Sequence, residues 1–157
     1  MLHDLFNAFH EKFNGYLAED AKNIVFDNTS DLKYPSIAYI IKSDVQPGIS
    51  LVFSLEASIH DPLYAGYGYA KDGERKGDKA INNSLRCHFT DIDDMPPTEW
   101  FVFWKYITYD GGKINLLNDR DGHDNYLKLF DYDTFDKIVD ASVEQAKILL
   151  DKLQSEK

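Results

Sequence analysis

Several groups of residues in this chain have the types and spacing that chemistry needs. Asp119-Arg120-Asp121-Gly122 carries the alternating carboxylates and the glycine of a calcium loop. With Gly122 in the glycine position, the end ligands would be Leu117 and Lys128, whose side chains offer no oxygen, so the segment reads as a solvated turn. Asp61 followed by Glu74-Arg75-Lys76 has the order of a magnesium nuclease site, in which carboxylates hold the metal and lysine steadies the nucleophile. Gly73 and Gly77 flank that triplet and predict a loop, not a central strand. Asp20 with Asp31-Leu32-Lys33 repeats the order, and Pro35 and Asn28-Thr29-Ser30 spoil it in the same way.

The five histidines give no further centre. His3 and His10 are seven residues apart, whereas a metal pair on one helix wants three or four. Cys87 and His88 are neighbours that point apart on a strand, and His60 and His123 fall in loops. Gly66-Tyr67-Gly68 and Gly73 to Gly77 match no phosphate-binding pattern, and the paired glycines are read as room for tyrosines on adjacent strands. With one cysteine the chain can form no internal disulfide and no thiolate zinc site. No cofactor and no metal are expected.

Charge is the strongest signal. Residues 91–140 hold twelve acidic and five basic residues, so seven of the ten units of net negative charge fall there. Such a surface repels nucleic acid and anionic lipid and attracts a basic protein. The expected contact residues are Asp91, Asp93, Asp94, Asp119, Asp121 and Asp124, acting as a steering rim. Interleaved aromatics from Trp100 to Tyr109 supply either a core or an anchor for that partner.

The elements that must position these residues follow from periodicity. Leu2, Leu5, Phe6, Phe9, Phe13 and Leu17 predict an amphipathic helix over 2–18. Residues 37–41, 49–55 and 64–70 read as an antiparallel meander, turned at Pro47-Gly48 and His60-Asp61-Pro62. Residues 71–79 form a charged loop, 80–90 a short helix or strand, and 91–99 an irregular stretch around Pro96-Pro97. Trp100 to Thr108 predicts a strand buried on both sides, with Trp100, Val102, Trp104 and Tyr106 on one face and Phe101, Phe103, Lys105 and Ile107 on the other. Asp110-Gly111-Gly112 is a tight turn. A second amphipathic helix is expected over 134–154, with Asp133 as its N-cap. The sum is a single α+β domain over residues 1–157, an antiparallel-rich sheet carrying an N-terminal and a C-terminal helix.

The strand pair, Leu63-Tyr64-Ala65-Gly66-Tyr67-Gly68, a polar insertion, Trp100 with Trp104-Lys105-Tyr106, and the final helix together resemble the aromatic-rich C-terminal part of restriction-endonuclease-like proteins of the PD-(D/E)XK superfamily. The resemblance spans residues 36–154 and implies a related scaffold. The acid-acid-x-lysine motif is missing from any good strand, so no catalytic residue carries over.

The leading expectation is a cytoplasmic, non-catalytic acidic protein that binds a basic protein, for instance an immunity protein or antitoxin occluding a nuclease toxin. Two alternatives stand beside it. One is a metal-dependent nuclease using Asp61, Glu74 and Lys76. The other is a small-ligand binder with a pocket beside Tyr64, Tyr67 and Trp104.

Overall fold

A computed structural model describes residues 2–17, 25–28, 35–58, 61–114 and 132–154. The first helix, α1, spans Leu2–Phe13 and passes into a 3-10 turn over Asn14–Tyr16. It stops short of the expected residue 18, where Gly15 removes helix propensity. Its buried stripe is Leu5, Phe6, Phe9 and Phe13.

The main sheet follows in the order β1 (Val25–Asn28), β2 (Ser36–Gln46), β3 (Ile49–Glu56), β4 (Tyr64–Lys71) and β5 (Glu74–Lys76), every pair antiparallel. A sixth strand, β6 (Phe103–Tyr106), also pairs with β4. Two strands thus share one edge of β4. β5 takes Tyr69–Lys71, and β6 takes Tyr64–Tyr67. Between them lies α2, Lys79–Ser84, followed by a 3-10 turn over Leu85–His88. Asp78 caps α2, its Oδ1 accepting from the amides of Ala80 (2.9 Å) and Ile81 (3.3 Å). A short hairpin, β7 (Thr108–Tyr109) and β8 (Gly112–Lys113), turns at Asp110-Gly111, as expected. The last helix, α3, covers Tyr132–Leu150, so Asp133 stands inside its first turn and is not its cap.

Both terminal helices pack on one face of the sheet. Ile37, Tyr39, Leu51, Phe53, Leu55, Ala65, Tyr67 and Phe103 meet the apolar stripe of α1 and Ile138, Val139, Val143, Ala146 and Leu149 of α3. The period-two alternation of β2, β3 and β4 sets this face. Lys12 joins the helices through Asp140 at 2.6 Å. His10 serves the fold: its Nδ1 lies 2.9 Å from the hydroxyl of fully buried Tyr39, on which its ring stacks. The α+β class with an antiparallel sheet and a helix at each end is as expected.

Three local expectations fail for identifiable reasons. Residues 71–76 are half of a hairpin, since Asp72 (φ 52°) and Gly73 (φ 83°) make the left-handed pair of a two-residue turn. Gly66 and Gly68 make no room for tyrosines. A Cβ on Gly66 would lie 2.4 Å from the Phe103 carbonyl oxygen, and one on Gly68 would lie 2.5 Å from that of Trp100 and 2.6 Å from Arg75 Nη1. The alternation expected from Trp100 onward holds only within β6: Val102 and Phe103 both enter the core, while Phe101 joins Trp104 around Tyr64 on the opposite face.

Tyr67 is wholly buried among Phe53, Phe89 and Phe103, and its hydroxyl has no hydrogen-bond partner among the described residues. Burial drives its phenol far above the ordinary value, and Asp151 adds to the effect. Tyr67→Phe removes an unsatisfied polar atom and little volume. It is expected to raise stability by about 1 kcal/mol in urea unfolding; a loss of that size would mean the hydroxyl is satisfied.

Candidate functional site

The acidic loop is built by residues that carry no acid. Asp91, Asp93 and Asp94 are exposed, and Ile92 between them is buried at 3% exposure, pinning the loop to the core. Asp91 takes φ 57°, a left-handed conformation that aspartate tolerates. The Met95 amide closes the turn on the Ile92 carbonyl at 2.9 Å.

Arg86 holds the loop from inside. Its Nη1 donates to the carbonyls of Met95 (2.6 Å) and Val102 (2.9 Å), and its Nη2 donates to that of Ile92 (2.8 Å). Buried Asn82 donates to the carbonyls of Thr98 (3.1 Å) and Glu99 (2.8 Å). Lys152, just past α3, donates to the Asp91 carbonyl at 3.0 Å, and the Thr90 amide donates to the Lys152 carbonyl at 2.8 Å. The carboxylates are therefore presented on a braced backbone. Among the described residues, no ion pair engages Asp91, Asp93 or Asp94.

A cavity of about 190 Å³ adjoins the loop, and Asp91, Asp94, Met95, Tyr106, Ile148 and Leu149 are among its lining residues. Ile148 is 59% exposed, an apolar centre beside the acids, and Lys105 and Lys152 bring positive charge to the same rim. Asp119, Asp121 and Asp124, with the calcium-like turn, lie outside the described residues.

A second cavity, of about 250 Å³, opens on the other face of the sheet and is lined by Asp61, Tyr64, Thr98, Trp100, Phe101, Trp104 and Tyr106. The pocket expected beside Tyr64 and Trp104 is thus present, but Tyr67 points into the core, one strand parity away from Tyr64. Trp100 lies over Gly77, where a Cβ would come within 2.9 Å of the indole.

Below Phe101, Arg75 reaches across Gly68 to Glu56 (3.4 Å), whose Oε2 also accepts from the Ser54 hydroxyl (2.6 Å). Burial holds the Arg75 guanidinium below its ordinary pKa, with Glu56 opposing. Arg75 stands outside every sequence-predicted site, although Asp72-Gly73 is a hairpin signal that places it on a strand.

The nuclease-like residues do not converge. Asp61 precedes the Tyr64 end of β4, whereas Glu74 and Lys76 pair with Lys71 and Tyr69 at its other end. Lys76 is engaged by Glu74 itself at 3.1 Å on the exposed hairpin. Asp20, Asp31 and Lys33 lie outside the described residues, as do His60 and His123. Cys87 and His88 stand in a 3-10 turn, where the Cys87 thiol is exposed. Among the described residues, no three His, Cys, Asp or Glu side chains gather as a metal site, and no helix is long and apolar enough to cross a membrane. Comparison with protein-family models, with curated proteins and with solved structures returned no match.

Proposed function

We propose that this chain is a non-catalytic binding protein whose Asp91–Asp94 loop and the adjoining Ile148 cavity engage a basic protein partner. One observation carries the reading. Three exposed carboxylates sit on a backbone fixed by Arg86 and Lys152, beside an exposed isoleucine and without ion pairs among the described residues. A braced loop loses little entropy on docking, an apolar centre supplies affinity, and an acidic rim supplies steering. Asp119, Asp121 and Asp124 add charge of the same sign. A nuclease toxin, basic because it holds phosphates, is one partner of this kind.

Affinity capture with the chain as bait tests this, run beside the triple variant Asp91→Asn, Asp93→Asn, Asp94→Asn. The expected result is a basic protein retained at about 0.05 M salt, released by about 0.5 M salt, and lost from the triple variant. If the purified chain cut DNA on addition of magnesium and captured no basic protein, the reading would be overturned in favour of catalysis.

A further inference from the structure

The cavity on the opposite face is not used by the acidic loop, and the two cavities have only Tyr106 in common. Its rings stand close to perpendicular: Tyr64 to Phe101 at 82°, Tyr64 to Trp104 at 71° and Trp104 to Tyr106 at 90°, with centroids 5.8, 5.9 and 4.9 Å apart. Rings at right angles wall a box, unlike the flat platform on which a sugar or planar base stacks. The electron-rich face of an aromatic ring attracts weakly hydrated cations.

Two of these rings already receive a cation from the chain. Lys113 Nζ lies 4.3 Å from the Tyr106 centroid, and Arg75 Cζ lies 6.0 Å from that of Phe101. The Arg75 charge is met by Glu56.

The lining includes one carboxylate, Asp61, which is exposed and has no ion pair among the described residues. The Ser58 hydroxyl fixes it, donating to Oδ2 at 3.0 Å and accepting from the Asp61 amide at 2.9 Å. Burial raises the Tyr106 phenol above its ordinary pKa, and Asp61 adds to the effect. Acceptors are otherwise few, and the Thr98 hydroxyl is taken by the Phe101 amide at 3.0 Å. A trimethylammonium head has no N–H group to satisfy, which suits a ring-walled cavity with few acceptors.

We propose that this aromatic box binds small molecules carrying a trimethylammonium head, held among Tyr64, Trp104 and Tyr106 with its charge facing Asp61. A cavity of about 250 Å³ holds such a head and a short tail. The site is independent of the protein-partner reading and can stand or fall without it.

The chain has two tryptophans, and both line the box, so tryptophan emission reports its occupancy directly. The titration uses choline chloride at constant ionic strength, beside 3,3-dimethylbutan-1-ol, its uncharged isostere. The expected result is a saturable emission change with choline and binding at least about tenfold weaker for the alcohol. Asp61→Asn is expected to weaken choline binding about threefold to tenfold while leaving the far-UV spectrum and Tm unchanged. Trp104→Ala is expected to abolish binding. Should that variant unfold, Asp61→Asn and the isostere still decide. No saturable response to choline, or equal binding of the alcohol, overturns the proposal. A trimethyllysine peptide binding more than about tenfold tighter than choline overturns the small-molecule assignment and makes a modified protein the ligand.

Discussion

Replacing Arg86 with methionine is expected to lower the unfolding free energy by about 3–5 kcal/mol in urea denaturation. The side chain donates to three carbonyls, of Ile92, Met95 and Val102, and of these the Ile92 carbonyl keeps a second donor, the Met95 amide. Each bond has a charged donor, and methionine restores volume but no donor. Arg86→Lys should recover less than half of the loss, because one ammonium cannot reproduce the planar fork. Amide exchange should accelerate first over residues 92–102, and affinity for a basic partner should fall even where the fold survives. A loss under about 1 kcal/mol would show that the loop holds itself.

Gly66→Ala is expected to cost about 3 kcal/mol or more. Two of the three atoms its Cβ would meet first are backbone: the Phe103 carbonyl oxygen at 2.4 Å and the Trp104 Cα at 2.8 Å, with the Trp104 Cβ also at 2.8 Å. Backbone cannot rotate aside as a side chain can, so β6 must move away from β4. Trp104 would move with it, so its emission should shift at low denaturant, before global unfolding. Gly15→Ala is the control. Its Cβ meets nothing within 4 Å, and its effect should stay within about 0.5 kcal/mol of zero.

Local pattern carried much of this architecture in the sequence, and reciprocal contacts did not. The Leu5-Phe6-Phe9-Phe13 stripe and the Ile138-to-Leu149 stripe repeat at helical spacing, and both face the sheet. The three meander strands have the expected order and pairing. Exposure of Asp91, Asp93 and Asp94 was legible because an unpaired carboxylate must stay hydrated. Arg86 and Asn82 were not legible. Their partners are carbonyls six to seventeen residues away, and a carbonyl has no residue type. The break in alternation at Val102 was hidden for the same reason, since Asn82, Arg86 and Thr98 bend the chain there by bonding its backbone. Two outcomes that differ from expectation do have local signals: Asp72-Gly73 is a two-residue hairpin turn, and Tyr67 shares the strand parity of core-facing Tyr69 and opposes Tyr64.

The most direct measurement is the association rate constant of the captured basic partner with this chain and with the Asp91→Asn, Asp93→Asn, Asp94→Asn variant, followed as ionic strength rises. The wild-type rate should fall steeply with salt. The variant should start at least about tenfold slower at low salt and show a flattened slope, with its dissociation rate little changed. Equal rates and equal slopes for the two chains would contradict the account, because the three carboxylates would then steer nothing.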